Sequence, residues 1–158
     1  MSDDIADKLE EEVEGWKKAI AEENKGSLEW ESDLIFTART QRGYEVDYDA
    51  NMQMGCSPTE TLLTSVAGCM AIDAVFFLRK MKVGISKFKI DFSGKRNPEP
   101  PQYYRSINMT IKISGSGLTP KKLDRAIALS QDKYCSVYHS LRKDIDISVD
   151  YEIIEEEA

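Results

Sequence analysis

The sequence predicts an α+β domain in which antiparallel strands pack against two long central helices. Three observations carry that expectation. Two long apolar stretches, SPTETLLTSVAGCMAIDAVFFL and LTPKKLDRAIALSQDKYCSVYHSL, read as helices. Around them lie runs in which apolar and polar side chains alternate, the pattern of half-buried strands. The order is helix, two strands, helix, two strands, helix, strand, which lacks the regular alternation of a doubly wound parallel sheet. At 158 residues the chain is long enough for one domain with a core of its own.

Each element has its own signal. From Asp3 to about Asn24, Ile5, Leu9, Val13, Trp16 and Ile20 recur three or four apart on one face of a charged helix. Residues 1–25 therefore read as an appended helix that docks on the domain or on a second subunit, and 26–158 as the domain itself. Residues 28–38 and 43–49 alternate and should pair as a hairpin about the polar stretch Arg39 to Gly43. Ser57, Pro58 and Glu60 mark a helix start, with Ser57 as N-cap, Pro58 at the first position and Glu60 closing a capping box. That helix should run to about Met81 and stop before Gly84. Strands follow at 85–94 and 104–114 on either side of the Pro-rich segment Lys95 to Gln102. Thr119-Pro120 starts the second helix, which should reach Lys143, and a strand from Ile145 to Ile154 closes the fold.

Charge and composition exclude several classes of function. The net charge is −7, and residues 1–25 hold nine acidic residues and four lysines, which leaves only about −2 on the rest. No clustered basic face is present to hold phosphates, so nucleic acid is not expected as a partner. Residues 61–78 carry a single charge, Asp73, and are long enough to span a bilayer. Asp73, Gly68, three hydroxyl residues and the lack of a second such stretch favour a core helix over a membrane span. The opening MSDDIADKLEEE lacks the marks of a signal peptide, so a cytoplasmic location is expected. Three cysteines, an odd number without a CxxC pair, argue against a disulfide framework. A disulfide here would belong to a redox cycle.

The thiols are the candidate chemistry. At about 100° per residue, Cys69 shares a helix side with Leu62, Val66, Asp73 and Phe76, and is expected to be buried. Inert packing is the plain alternative, since free cysteine often acts as a small hydrophobe. Cys69 lies too far along its helix for the N-terminal dipole to act, so a nucleophilic role needs another positive group. Cys135 falls roughly 110° from the stripe of Leu123, Ile127, Tyr134 and Leu141, where it can face a cleft. Cys56 lies nearest a helix start and on electrostatics alone should be the most acidic thiol. With Cys69 and Cys56, the i, i+4 pair Cys135 and His139 could make a Cys₃His zinc set, although structural zinc sites usually bring their ligands in close pairs. His139 is the only histidine, and no nucleophile motif supports a Ser-His-Asp hydrolase. Glu60 can cap its helix or orient a cation near the thiols. Asp73, one turn after Cys69, would raise a neighbouring thiol's pKa and calls for an arginine partner.

The Ser57-Pro58 helix start, Cys69 eleven residues after the proline, and Lys133-Tyr134-Cys135-Ser136-Val137 resemble the OsmC/Ohr family of thiol-dependent hydroperoxide reductases over about residues 28–154. The resemblance implies an intertwined homodimer with active sites at the subunit interface. It also implies a peroxidatic Cys69, a resolving Cys135 and a Cys69–Cys135 disulfide. An external dithiol, such as lipoamide or a lipoylated protein, would be the reductant, with no bound cofactor. In the hydroperoxidase branches a glutamate directly follows the proline; here that position is Thr59 and the carboxylate comes one later, at Glu60. Ser136 replaces the proline that usually follows the second cysteine, and the partner arginine falls to Arg39 or Arg42. These departures resemble a less characterised branch.

The expected function is thus a peroxidase acting on organic hydroperoxides through a Cys69 sulfenic acid, with Cys69, Cys135, Glu60 and Arg39 as the catalytic set. An apolar pocket of Met70, Phe76, Phe77 and partner residues would favour alkyl peroxides. The alternative on the same fold is a redox-linked or small-ligand binding protein without turnover. A structural dimeric module whose cysteines only pack is the third reading.

Overall fold

The computed structural model describes residues 8, 11, 12, 14, 15, 17 and 23–155. The described residues before 18 are helical. The stripe of Ile5, Leu9, Val13, Trp16 and Ile20 lies outside the described residues. The chain divides into two compact units, Met1–Thr61 and Leu62–Ala158.

The first unit is a three-stranded antiparallel sheet of β1 (Gly26–Ser32), β2 (Ile35–Thr40) and β3 (Glu45–Asp49), in that order. The expected single run over 28–38 is two strands. The adjacent pair Leu34 and Ile35 breaks the alternation, and Asp33 turns the chain at φ 45° while the Trp30 indole N–H donates to its carbonyl at 2.9 Å. Asp is one of the few side chains that tolerate this left-handed backbone. The turn at Gln41 to Gly43 is where the sequence placed it, with Gly43 at φ 85°. Asp49, 2% exposed, then accepts backbone N–H bonds from Asn51, Gln53 and Met54 and ties the following loop down.

Helix α1 (Pro58–Lys80) begins as expected. The Ser57 hydroxyl accepts from the Glu60 N–H at 3.2 Å, and the Glu60 carboxylate accepts from the Ser57 N–H at 2.8 Å. The two bonds satisfy two of the donors that a helix start otherwise leaves open. The helix ends before Gly84, by a Schellman turn in which Lys82, not glycine, takes the left-handed position at φ 59°. Val83 N–H bonds the Leu78 carbonyl and Lys82 N–H that of Arg79.

In the second unit β4 (Gly84–Arg96), β5 (Tyr104–Ser116) and β6 (Asp146–Ile153) form a sheet in that order, with β5 in the middle. The β4–β5 pair is antiparallel, but β5 and β6 are parallel, contrary to the all-antiparallel expectation. The reason is the connection: a helical crossover between β5 and β6 returns the chain to the start of the sheet, as parallel neighbours require. Val66, Ala67 and Met70 of α1 pack with Tyr104, Ile107 and Met109 of β5 to form the core. Full burial of side chains this size is worth about 1.5–3 kcal/mol each, so this helix and strand hold the unit together.

The second long helix is not continuous. Helix α2 (Pro120–Leu129) starts on the Thr119 cap, whose hydroxyl accepts from Lys122 N–H at 3.3 Å. A wide π turn follows over Ser130–Tyr134, Cys135 is extended at ψ 97°, and a short helix α3 (Ser136–Ser140) resumes. Among the described residues α1 is the one helix long and apolar enough to cross a membrane. Its Val66, Met70, Ala74, Phe77 and Leu78 are buried within the fold, which accounts for that composition as a core helix.

Candidate active site

The break after α2 corrects the expected placement of both thiols. The π turn shifts the helical phase and Cys135 leaves the helix altogether, so a 100° projection cannot locate it. Cys135 is fully buried, not on a shoulder facing a cleft, and Cys69 is the partly exposed member of the pair. The Cys135 N–H closes the π turn onto the Ser130 carbonyl at 2.9 Å, and its sulfur caps α3 by accepting from Tyr138 N–H at 3.4 Å.

The turn brings Cys135 to Cys69 and Asp73. The two sulfurs and a carboxylate oxygen of Asp73 lie within 4.8 Å of one another. A side-chain hydrogen bond with Cys69, ahead of burial, holds the Cys135 thiol well above its ordinary value. Negative charge on Cys69 and on Asp73 pushes the same way, against the Tyr138 N–H. Asp73 is 1% exposed, and the Ser130 hydroxyl donates to its Oδ2 at 3.0 Å. The donor to that oxygen is a hydroxyl, where an arginine was expected. Nothing in the residues around Ser130 marks it in the sequence, because its role depends on the π turn.

Of the other expected site residues, Arg39 and Glu60 belong to the first unit. Glu60 is engaged in its capping box, and the Ser57 N–H followed by the Ser57 hydroxyl holds its carboxyl below the usual range. The Arg39 Nε donates to Glu45 at 2.9 Å, Glu29 stands 3.9 Å away, and the pair with Glu45 raises the guanidinium further. Arg42 is exposed in the β2–β3 turn. The Cys56 sulfur is 2.9 Å from the Thr61 hydroxyl. His139 is exposed with its ring against Tyr138, centroids 5.5 Å apart, and the group of metal-capable side chains that comes together among the described residues is Cys69, Asp73 and Cys135.

An open apolar groove of about 550 Å³ runs along α1, lined by Ala71, Ile72, Val75, Phe76, Arg79 and Lys80. Cys69, Ile72 and Phe76 share a helix face at i, i+3 and i+7. Of the three residues expected to line a pocket, only Phe76 does so; Met70 and Phe77 are in the core.

The family described as OsmC-like protein matches residues 49–150, which span α1, the β4–β5–β6 sheet and both thiols of the pair. This chain belongs to the OsmC-like family. It is 30% identical over 128 residues to protein YhfA of Escherichia coli K12, an alignment covering 80% of this chain and 96% of YhfA. The crystal structure of a hypothetical protein from Aquifex aeolicus is 28% identical, with a TM-score of 0.78 over 87% of this chain and all of that one. The organic hydroperoxide resistance protein OhrB of Bacillus subtilis shares the fold at 14% identity and TM-score 0.56, over 82% of this chain and 98% of OhrB. The OsmC-like match and the YhfA relative place the chain in a less characterised branch of the OsmC/Ohr family, as the departures at Thr59 and Ser136 suggested. Membership points to redox or peroxide-related chemistry.

Proposed function

We propose that this OsmC-like protein is a thiol-dependent peroxidase for organic hydroperoxides, with Cys69 as nucleophile and Cys135 as resolving thiol. The observation that carries the reading is the pair itself, a half-buried cysteine and a fully buried one whose sulfurs lie within 4.8 Å of each other. Cys69 enters the reaction as its thiolate, the nucleophilic form. That thiolate attacks the distal peroxide oxygen, the O–O bond breaks, and the alkoxide takes a proton from water to leave as an alcohol. Cys69 is left as a sulfenic acid. Cys135 then attacks the Cys69 sulfur; its own proton leaves with the sulfenic hydroxyl as water, and the disulfide forms. An external dithiol restores both thiols and is itself oxidised to a disulfide.

The apolar groove on the Cys69 face supports alkyl peroxides as substrates. Exposed apolar side chains support a homodimer, among them Trp30 at 66% and Leu28 at 60% on a strand with every residue exposed. A three-stranded sheet of that kind gains from a covering partner. The test is peroxide consumption with a dithiol reductant. Wild type should turn over cumene hydroperoxide faster than hydrogen peroxide, and Cys69→Ser should lose all turnover. Activity that survives in Cys69→Ser removes Cys69 as nucleophile.

A further inference from the structure

A carboxylate stands beside the two thiols, and the peroxide chemistry has no use for it. Asp73 is buried one turn of α1 after Cys69, where its negative charge opposes thiolate formation. A cation placed among the three groups would turn that repulsion into attraction. We propose that Cys69, Asp73 and Cys135 form a binding site for a thiophilic divalent metal ion of the zinc or cadmium class, with water in the fourth position.

Two thiolates and a carboxylate on a tetrahedral ion with one open position suit metals of this softness. Two sulfurs bound to one zinc stand about 3.8 Å apart, given bonds of about 2.3 Å. The three ligand atoms already lie within 4.8 Å of one another, so only a short approach separates them from that spacing. A disulfide demands a longer approach, to about 2.05 Å. Cys69 and Asp73 come from successive turns of α1 and Cys135 from the break after α2, so the ligands converge from two elements. The Ser130 hydroxyl bond to Asp73 Oδ2 is the kind of outer contact that orients a metal-binding carboxylate. Binding releases to solvent the protons that the two sulfurs still hold, and no oxidant or reductant takes part. The metal site does not depend on the peroxidase reading; where both hold, metal and peroxide compete for Cys69.

The fully reduced full-length chain, carrying Cys56→Ser to remove the third thiol, is titrated anaerobically with cadmium ion alone. Thiolate-to-metal absorption and cadmium NMR are followed, with circular dichroism to check each variant's fold. One cadmium per chain should bind, with a shift typical of mixed sulfur and oxygen ligands. Cys69→Ser and Cys135→Ser should each lose the two-thiolate absorption, and Asp73→Asn should bind at least about tenfold more weakly. Equal affinity in a folded Asp73→Asn overturns the proposal, as does absorption that survives loss of either thiol. Should Asp73→Asn not fold, the wild-type NMR decides, and a sulfur-only shift overturns it. No peroxide is present, so a chain that binds cadmium yet is inert to peroxide keeps this site and loses only the peroxidase reading.

Discussion

Replacing Cys135 by serine should change how stability depends on alkaline pH. In the folded chain the bond to Cys69, then burial, hold the Cys135 thiol above its ordinary 9.0. A group whose folded pKa is raised contributes stability that is complete below the unfolded value and is lost as pH rises toward the folded one. Above about pH 9 the unfolded chain has released this proton and the folded chain still holds it. Each further pH unit then lowers stability by about 1.4 kcal/mol for the one proton. Serine does not titrate in this range and still offers Cys69 a donor, so the other groups cancel when the two proteins are compared. Between about pH 9 and pH 10.5 the wild type should lose up to about 2 kcal/mol relative to Cys135→Ser. Urea unfolding of both reduced proteins at matched concentration measures this directly. A difference that stays constant across that range would mean that Cys135 titrates alike folded and unfolded, and the buried hydrogen-bonded pair would have to be abandoned.

Three further outcomes are expected. Ser57→Ala removes the N-cap of α1 and should cost about 1 kcal/mol in chemical denaturation, whereas a change below about 0.3 kcal/mol would show that the capping box is dispensable. Gly94→Ala sets a Cβ 2.5 Å from a ring carbon of the buried Tyr104 and should destabilise by about 1–3 kcal/mol, read as a lower urea midpoint. Ile72 is 58% exposed in the groove, so Ile72→Gln should leave stability unchanged and lower kcat/KM for cumene hydroperoxide but not for hydrogen peroxide; equal loss on both substrates would separate the groove from substrate choice.

Much of the fold could be read from local signals. The capping box at Ser57 and Glu60, the apolar α1 and the alternating strands each depend on neighbours in sequence, and apart from the split run over 28–38 they form close to where expected. What escaped depends on contacts distant in sequence or on small changes of backbone. The Asp33 turn was hidden inside a run of strand-like residues. The π turn at Ser130–Tyr134 leaves no mark on composition, and it decides that Cys135 is buried and that Ser130 meets Asp73 across 57 positions of sequence. Periodicity placed Asp73 on the Cys69 side of α1 correctly, because both belong to one unbroken helix. It failed for Cys135 because the helix does not continue. The parallel β5–β6 pair could not be read from the alternation of β6, which is the same for either direction.

The central claim, a redox couple of Cys69 and Cys135, is tested most directly by mass spectrometry of the reduced protein before and after one equivalent of cumene hydroperoxide, with peptide mapping of the thiols. The account predicts a rapid Cys69–Cys135 disulfide that a dithiol reverses, with Cys56 unmodified. Thiols that remain reduced, or a disulfide that involves Cys56 in place of Cys135, would contradict it.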